Sequence, residues 1–534
     1  MNITKRLTVL MAIAALAACG SGDDSNSVDS GNAGGAGGAG GGGSPAGVIY
    51  SAQAYLKAAN ATDHSFYGTA IAISGDTVVV GAYNQGTGAN RPGGAYVLKR
   101  TGTSWAQEAY LTASNAEHAD RFGTSVSISG DTIVVGAICE SSSLTTIRMV
   151  TVFPNNNDSG CSGAAYVFKR TGTVWAQEAY LKASNANALN DPLDPTSGYL
   201  TAVEFGWSVA VSGDTIVVGA INEASPLTTI TNGAGAASLD TSAFGSGAAF
   251  VYKRSAGPAW AQQAYIKAPN AESGDVFGNS MALSGDTLVI GASNEESNQT
   301  TITNVASANN SATGAGAAYI FTRTGNAWSF NTYLKAPNAE AADQFGYSLA
   351  LSGDTIVVGA NLESSNQTTI TNGTTASANN GAASAGAAYV FRLTGGNWTN
   401  EAYLKPSNAH AGDQFGISVA IYSDTIVVGA YAESSNQRTL SDGTTASSDH
   451  SAAGAGAAYV FKRTGPTWAQ EAYLKAPNAD AGDQFGTSVG VYSNTVVVGA
   501  PWEKSAQTTI TNGITASADN SLTGVGAAYV FLHQ

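Results

Sequence analysis

Apolar residues recur along this chain in two short patterns, set among Gly, Ser, Thr and Asn. In the copy that begins at Gly416, Ser418 to Tyr422 alternates, with Val419 and Ile421 on one face and small residues on the other. Such alternation marks a half-buried strand, here called A. Tyr422-Ser423-Asp424, which reads Ser-Gly-Asp in the first five copies, is a tight turn. Thr425 to Gly429 then runs apolar without a break, as a strand buried on both faces does (strand B). After a long polar loop, Gly456 to Arg463 supplies strand C, and beyond a Thr-Gly turn Trp468 to Lys475 supplies strand D. Trp468 and Leu474 lie six apart, which places them on one face of a regular strand. No segment sustains a 3.6-residue apolar period, so the pattern predicts an all-β chain.

The unit occurs seven times, as Tyr67-Gly68, Phe122-Gly123, Phe205-Gly206, Phe277-Gly278, Phe345-Gly346, Phe415-Gly416 and Phe485-Gly486 show. Thirteen residues after each glycine stands the Gly of a Gly-Ala pair, from Gly81 to Gly499. Seven four-stranded units with small residues on the inner strands predict a seven-bladed β-propeller over residues 48–534. The D-type motif Ala-Tyr-Leu-Lys first occurs at Ala54, ahead of any A strand, while the last C strand, Gly526 to Phe531, has no D strand after it. Residues 49–57 are therefore expected to complete the last blade and close the ring, leaving no unpaired closure edge.

Phe415-Gly416, Ser418-Val419, Asp424-Thr425, Val428-Gly429-Ala430, Gly456 to Phe461 and Trp468 carry a resemblance to the FG-GAP repeats, the propeller repeats of integrin α-chains, and most closely to their bacterial branch. All seven units share it. The resemblance implies a seven-bladed propeller and a role in extracellular binding or adhesion. Integrin-type calcium loops carry regularly spaced aspartates between the first two strands. Here that turn is only Ser-Gly-Asp-Thr, too few ligands for the six to eight oxygens that Ca²⁺ takes.

The N-terminal residues change the picture from a free domain to a tethered one. Lys5-Arg6, the apolar run Leu7 to Leu16 and the end Leu16-Ala17-Ala18-Cys19 read as a targeting segment over residues 1–18. The end resembles a bacterial lipobox, which implies lipidation of Cys19 and, with Gly20-Ser21 following, sorting to the outer membrane. The Gly-rich stretch up to residue 47 reads as a flexible tether, and about 28 residues of it give an r.m.s. reach of roughly 30 Å. A net charge of −15 with only 11% charged residues argues against a nucleic-acid partner, which needs a basic face. The membrane is expected as a partner through the lipid alone.

In an antiparallel blade the A–B and C–D turns share one end, and the B–C and D–A connections share the other. That second end collects two repeated carboxylates. Asp120, Asp275, Asp343, Asp413 and Asp483 stand two residues before Phe-Gly, and Glu140, Glu223, Glu295, Glu363, Glu433 and Glu503 follow Gly-Ala at a fixed offset, with Gln85 in the first unit. The favoured reading is structural, with Asp capping its own turn and Glu solvated at a strand end. The alternative is a ring of carboxylate pairs that share a cation such as Ca²⁺ or hold a ligand.

The same end carries B–C loops of about 25 residues in six units, read as polar hairpins that turn at Asn232, Asn372, Asp442 and Asn512 and project as a crown around the axis. Cys139 and Cys161 bracket one of these loops and are expected to form a disulfide rather than a metal site. The five histidines show no metal-ligand spacing, and Gly486-Thr487-Ser488-Val489-Gly490 begins an A strand rather than a strand–turn–helix elbow. The expectation is a non-enzymatic binding module for a protein or glycan ligand at the loop face. The alternatives are a hydrolase or lyase acting on polysaccharide, and a scaffold in an envelope assembly.

Overall fold

The computed structural model describes residues 49–88, 90–149, 160–186, 202–235, 237–255 and 257–534. The expected targeting segment, Cys19 and the expected tether lie outside the described residues, as do residues 187–201. The strands form seven sheets, each with the antiparallel order A-B-C-D. Blades 1 to 6 run from Ala70–Ser74 to Ser104–Leu111, Phe122–Ser129 to Val174–Leu181, Phe205–Ser212 to Trp260–Ile266, Met281–Ser284 to Ala327–Leu334, Ser348–Ser352 to Asn397–Leu404, and Ser418–Tyr422 to Thr467–Leu474. Blade 7 takes Ser488–Tyr492, Thr495–Ala500 and Ala527–His533 from the C-terminal end and Tyr50–Leu56 from the N-terminal end. Tyr55 pairs with Tyr529 and Leu56 with Ala528, so the first described strand closes the ring.

The Phe-Gly and Gly-Ala steps are where neighbouring blades dock. Phe485 forms a parallel bridge with Gly456 of the preceding blade. A Cβ on Gly429 would run into the carbonyl oxygen of Gly486, and Ser418 Oγ donates to that same oxygen at 2.8 Å. Gly416 sits at φ +90°, where a side chain would meet the carbonyl of Ala387. The recurring motif is thus a backbone-to-backbone joint with no room for side chains. Around each joint lies an apolar layer shared by two blades, as where Val390, Ala402 and Leu404 of blade 5 meet Val428, Tyr459, Phe461 and Trp468 of blade 6. Each large side chain buried there contributes roughly 1.5–3 kcal/mol.

Strand D departs from the regular alternation. Val460 pairs with Ala472 but Phe461 pairs with Gln470, so Glu471 is an extra residue in a β-bulge. The bulge reverses the parity beyond it. Trp468 packs toward blade 5, whereas Leu474 packs toward blade 7, contrary to the single face their spacing predicts. Every blade carries the bulge, at Gln53, Glu108, Glu178, Gln263, Asn331, Glu401 and Glu471. The bulged side chain is re-aimed at the next blade. Glu108 accepts from Trp175 Nε1 at 2.8 Å, and Gln263 accepts from Trp328 Nε1 at 3.0 Å.

The long B–C loops do not stand up around the axis. Thr371–Asn372 pairs with Tyr403 and Ala402, so the loop folds over the outer edge of its own blade and adds a short fifth strand. Thr231–Asn232, Ser441–Asp442 and Thr511–Asn512 do the same in blades 3, 6 and 7. Covering strand D satisfies backbone groups that an open edge would expose. From there Asn372 reaches the next blade, its Oδ1 accepting from Trp468 N at 2.7 Å and its Nδ2 donating to Trp468 O at 3.1 Å. Asn232 holds Trp328 in the same two-bond way, and Asn512 holds Trp105 across the closing seam. The Asn-Gly steps are therefore staples between blades rather than hairpin tips.

Candidate functional site

The two ends of the propeller differ in chemistry. At the end with the A–B and C–D turns, Arg463 Nε donates to Asp424 Oδ1 at 2.7 Å while its guanidinium lies 5.4 Å from the Trp468 ring. The Asp of the A–B turn is thus committed to an arginine, and in the Ser-Gly-Asp-Thr copies Asp131 is likewise held by Arg170 and Asp214 by Arg254. On the outer side of the seam between blades 5 and 6, a recess of about 610 Å³ opens among Asn372, Arg392, Thr399, Glu401 and Pro466.

The other end, called the upper face, holds the repeated carboxylates, and the structure places them inside. Glu433 is 1% exposed, not solvated as its strand-end position suggests. Its Oε2 lies 2.8 Å from the ammonium of Lys475, which also donates to the carbonyls of Ser435 and Gly456. Its Oε1 accepts from Tyr473 Oη at 2.9 Å and from Asn408 Nδ2 at 3.3 Å. Asn408 in turn accepts from Tyr459 Oη, tying the loop that enters the blade to strand C. Glu140, Glu223, Glu295, Glu363 and Glu503 make the same ion pair with Lys182, Lys267, Lys335, Lys405 and Lys57. Burial pulls each lysine below its ordinary range, and the facing glutamate opposes that shift.

The partner was missed in the sequence, although a signal existed. Lysine ends the Ala-Tyr-Leu-Lys motif in the blades that carry Glu, with Ile266 in place of Leu in blade 3 and Thr332 in place of Ala in blade 4. Blade 1, which has Gln85 instead of Glu, has Thr112 instead of Lys. The two charges vanish together.

The aspartates are buried too, and they cap turns. Asp413 Oδ2 accepts from His410 N at 2.9 Å, and Asp120, Asp275, Asp343 and Asp483 each take the corresponding N–H of Glu117, Glu272, Glu340 and Asp480. Desolvation pushes Asp120, Asp275, Asp343 and Asp413 up to about 7 and Asp483 up to about 6. Among the described residues no group of three or more His, Cys, Asp or Glu is arranged to hold a metal ion. Cys139 and Cys161 are joined as a disulfide, closing the base of the blade 2 loop.

One position on the upper face varies from blade to blade, half-buried in blades 2 to 7 and buried at Phe66 in blade 1. The residue before each Phe-Gly (Tyr-Gly in blade 1) is Phe66, Arg121, Glu204, Val276, Gln344, Gln414 or Gln484, and all seven sit at φ between 54° and 59°. A left-handed backbone is costly for such residues, and for β-branched Val276 most of all. The fold holds that conformation and leaves the side chain free to differ. At the seam between blades 7 and 1 these variable positions become aromatic. Phe66 stacks on Tyr83 at 5.2 Å and meets Trp502 at 4.9 Å.

The fold and this site define a closed seven-bladed propeller whose repeated upper-face carboxylates are internal and whose upper face is individual to each blade. The chain belongs to the FG-GAP repeat family, which matches residues 50–98, 105–168, 197–252, 260–321, 328–391, 398–461 and 468–531. No curated protein matches it in sequence. Among solved structures, it is similar to an acylaminoacyl peptidase in complex with Z-Gly-Gly-Phe-chloromethyl ketone, with 8% identity and a TM-score of 0.37 over 85% of this chain. The chain spans 50% of the length of that structure.

Proposed function

We propose that this chain is a lipid-anchored, extracytoplasmic binding or adhesion module that takes a protein or glycan ligand on its upper face and performs no chemistry on it. The observation that carries this reading is the division between repeated and variable positions. The repeated carboxylates, such as Glu433 and Asp413, are committed to Lys475, Tyr473 and the backbone. The variable residues, such as Arg121, Gln344 and Trp502, are partly or well exposed on one face of a rigid scaffold, where recognition residues belong. A carboxylate held to a buried ammonium at 2.8 Å is a poor general base, which weighs against polysaccharide hydrolysis at these pairs. Membership of the FG-GAP family supports a binding role. Cys19 supplies the lipid anchor of this reading, and the Gly-rich tether lets the propeller stand clear of an outer membrane.

The test is adherence of the full chain to cell-envelope preparations. Saturable adherence is expected, weakened by Ala at Arg121, Gln414 and Trp502 and not by Ala at Lys169 and Lys462 on the opposite face. No adherence, or turnover of an envelope polysaccharide by the chain, contradicts the reading. Incorporation of an alkyne-labelled fatty acid, lost in Cys19→Ala, checks the anchor.

A further inference from the structure

We infer that the seam between blades 7 and 1 is a saccharide-binding site, built from the indole of Trp502 and the imidazole of His64. This rests on the upper-face reading above and names the ligand class for one place on that face. Three positions from different parts of the chain meet there. At the counterparts of Phe66 the other blades carry Arg, Glu, Val or Gln, and at those of Trp502 they carry Asn, Cys, Leu or Ala. The counterparts of Tyr83 are mostly Ile, Ser, Asn or Pro. Only at this seam are all three aromatic. Blade 1 is also the blade with the short B–C connection, from Tyr83 to Gly93, so no long loop of its own overlies the cluster.

The geometry is that of a corner. Trp502 is 36% exposed, the most of any tryptophan or phenylalanine in the described residues. The His64 ring stands nearly perpendicular to it, with the planes 81° apart and the centroids 6.4 Å apart. The same ring is edge-on to Phe66 at 5.9 Å. His64 is held in place from both sides. Its backbone N–H donates to Thr523 O at 2.7 Å, and its ring Nδ1 lies 2.6 Å from Asp63 Oδ2. Asp63 Oδ1 accepts from Thr523 N at 2.8 Å, which with the His64 contact holds its carboxyl below the usual carboxylate range. With Nδ1 donating to Asp63, Nε2 is the ring's remaining hydrogen-bonding atom, and the side chain is 43% exposed.

An aromatic plane beside a fixed polar group is what a sugar ring requires. A pyranose has one face of C–H groups, which packs on an indole, and a rim of hydroxyls, which can donate to an imidazole nitrogen. Both oxygens of Asp63 already take bonds that hold the corner together, one with His64 Nδ1 and one from Thr523 N. An anionic ligand would have Arg91 beside it, but that guanidinium already donates to Asp63 O at 2.5 Å, and the chain as a whole carries −15. A stable protein partner would have to cover about 800 Å², far beyond one corner of this size.

Saturation-transfer NMR of the full chain with the methyl glycosides of glucose, galactose, mannose and N-acetylglucosamine tests the site. At least one is expected to bind saturably at about 10 mM or below, with the strongest transfer to the protons of one ring face. Trp502→Ala should weaken it about tenfold or more, Trp502→Phe should retain part of the affinity, and His64→Ala should weaken it without changing the melting temperature. If Trp502→Ala does not fold, Trp502→Phe and His64→Ala carry the test. Failure of all four sugars, or binding that survives the Trp502 and His64 variants unchanged, overturns the site. If the chain still adheres to envelopes in that case, the saccharide site falls and the binding reading stands.

Discussion

Lys57 Nζ lies 2.7 Å from Glu503 Oε2, across 446 positions of sequence, with neither side chain more than 1% exposed. In blades 2 to 6 the lysine and glutamate of this bolt come from one continuous stretch of chain, and in blade 7 they come from opposite ends of the propeller's sequence. Tyr55 Oη adds a bond to the same carboxylate at 2.8 Å, and Lys57 donates to Gly526 O at 2.7 Å. Ring closure is therefore both a strand pairing and a buried charge pairing. A chain that begins at residue 58 loses the outer strand of blade 7 and leaves Glu503 buried without its cation. We expect it to melt far below a chain that begins at residue 48, by more than about 5 kcal/mol in stability. Circular dichroism melting of the two chains checks this, and equal midpoints would refute the closure.

The capping aspartates give stability a pH dependence of definite sign. Asp120, Asp275, Asp343 and Asp413 titrate at about 7 in the folded chain because burial disfavours the charged form, against an ordinary 3.8. Between those values the folded state holds more protons than the unfolded one. Their contribution is complete below about pH 4 and is lost as pH rises through about 7. The urea midpoint should accordingly fall between pH 5 and pH 8. Asp343→Asn, which keeps an oxygen for Glu340 N, should flatten part of that slope. A midpoint that rises over this range would contradict the assignment.

Asn372 staples blade 5 to blade 6 through both backbone groups of Trp468. Asn372→Ala leaves a buried N–H and C=O without partners and should cost about 1–3 kcal/mol. Asn372→Asp keeps the acceptor and loses the donor, so it should fall between the two. Chemical denaturation of the three proteins checks the order.

The disulfide between Cys139 and Cys161 closes a loop with a sequence separation of 22. Replacing both cysteines by Ser should lower stability by about 3 kcal/mol. Limited proteolysis should then cut first between residues 139 and 161. Cleavage elsewhere, with the loop intact, would show that the bond does not hold it.

The fold was legible because its determinants are local. Glycine at Gly416 and Gly429, the unbroken run Thr425 to Gly429 and the stray motif at Ala54 are each readable in a window of a few residues. The errors came from contacts that no local period records. One extra residue at Glu471 turns Trp468 and Leu474 to opposite faces. The Asn-Gly steps look like hairpin tips but lie flat against strand D, because an open edge needs a partner more than the loop needs a turn. Glu433 looks solvated because its lysine is 42 residues away in sequence. The seam at Trp502 draws its rings from residues 66, 83 and 502, so only the closed ring brings them together.

The central claim is that the repeated glutamates serve the blades rather than a ligand, and blade 1 shows how to test it. Its Gln85 and Thr112 occupy the positions of Glu433 and Lys475. We would measure urea unfolding of Glu433→Gln, Lys475→Thr and the double variant that copies blade 1. Each single change leaves one buried charge unpaired and should cost about 3–5 kcal/mol, while the double variant should recover most of that loss. Single variants as stable as the parent, or a double variant whose loss is the sum of the two, would contradict the account.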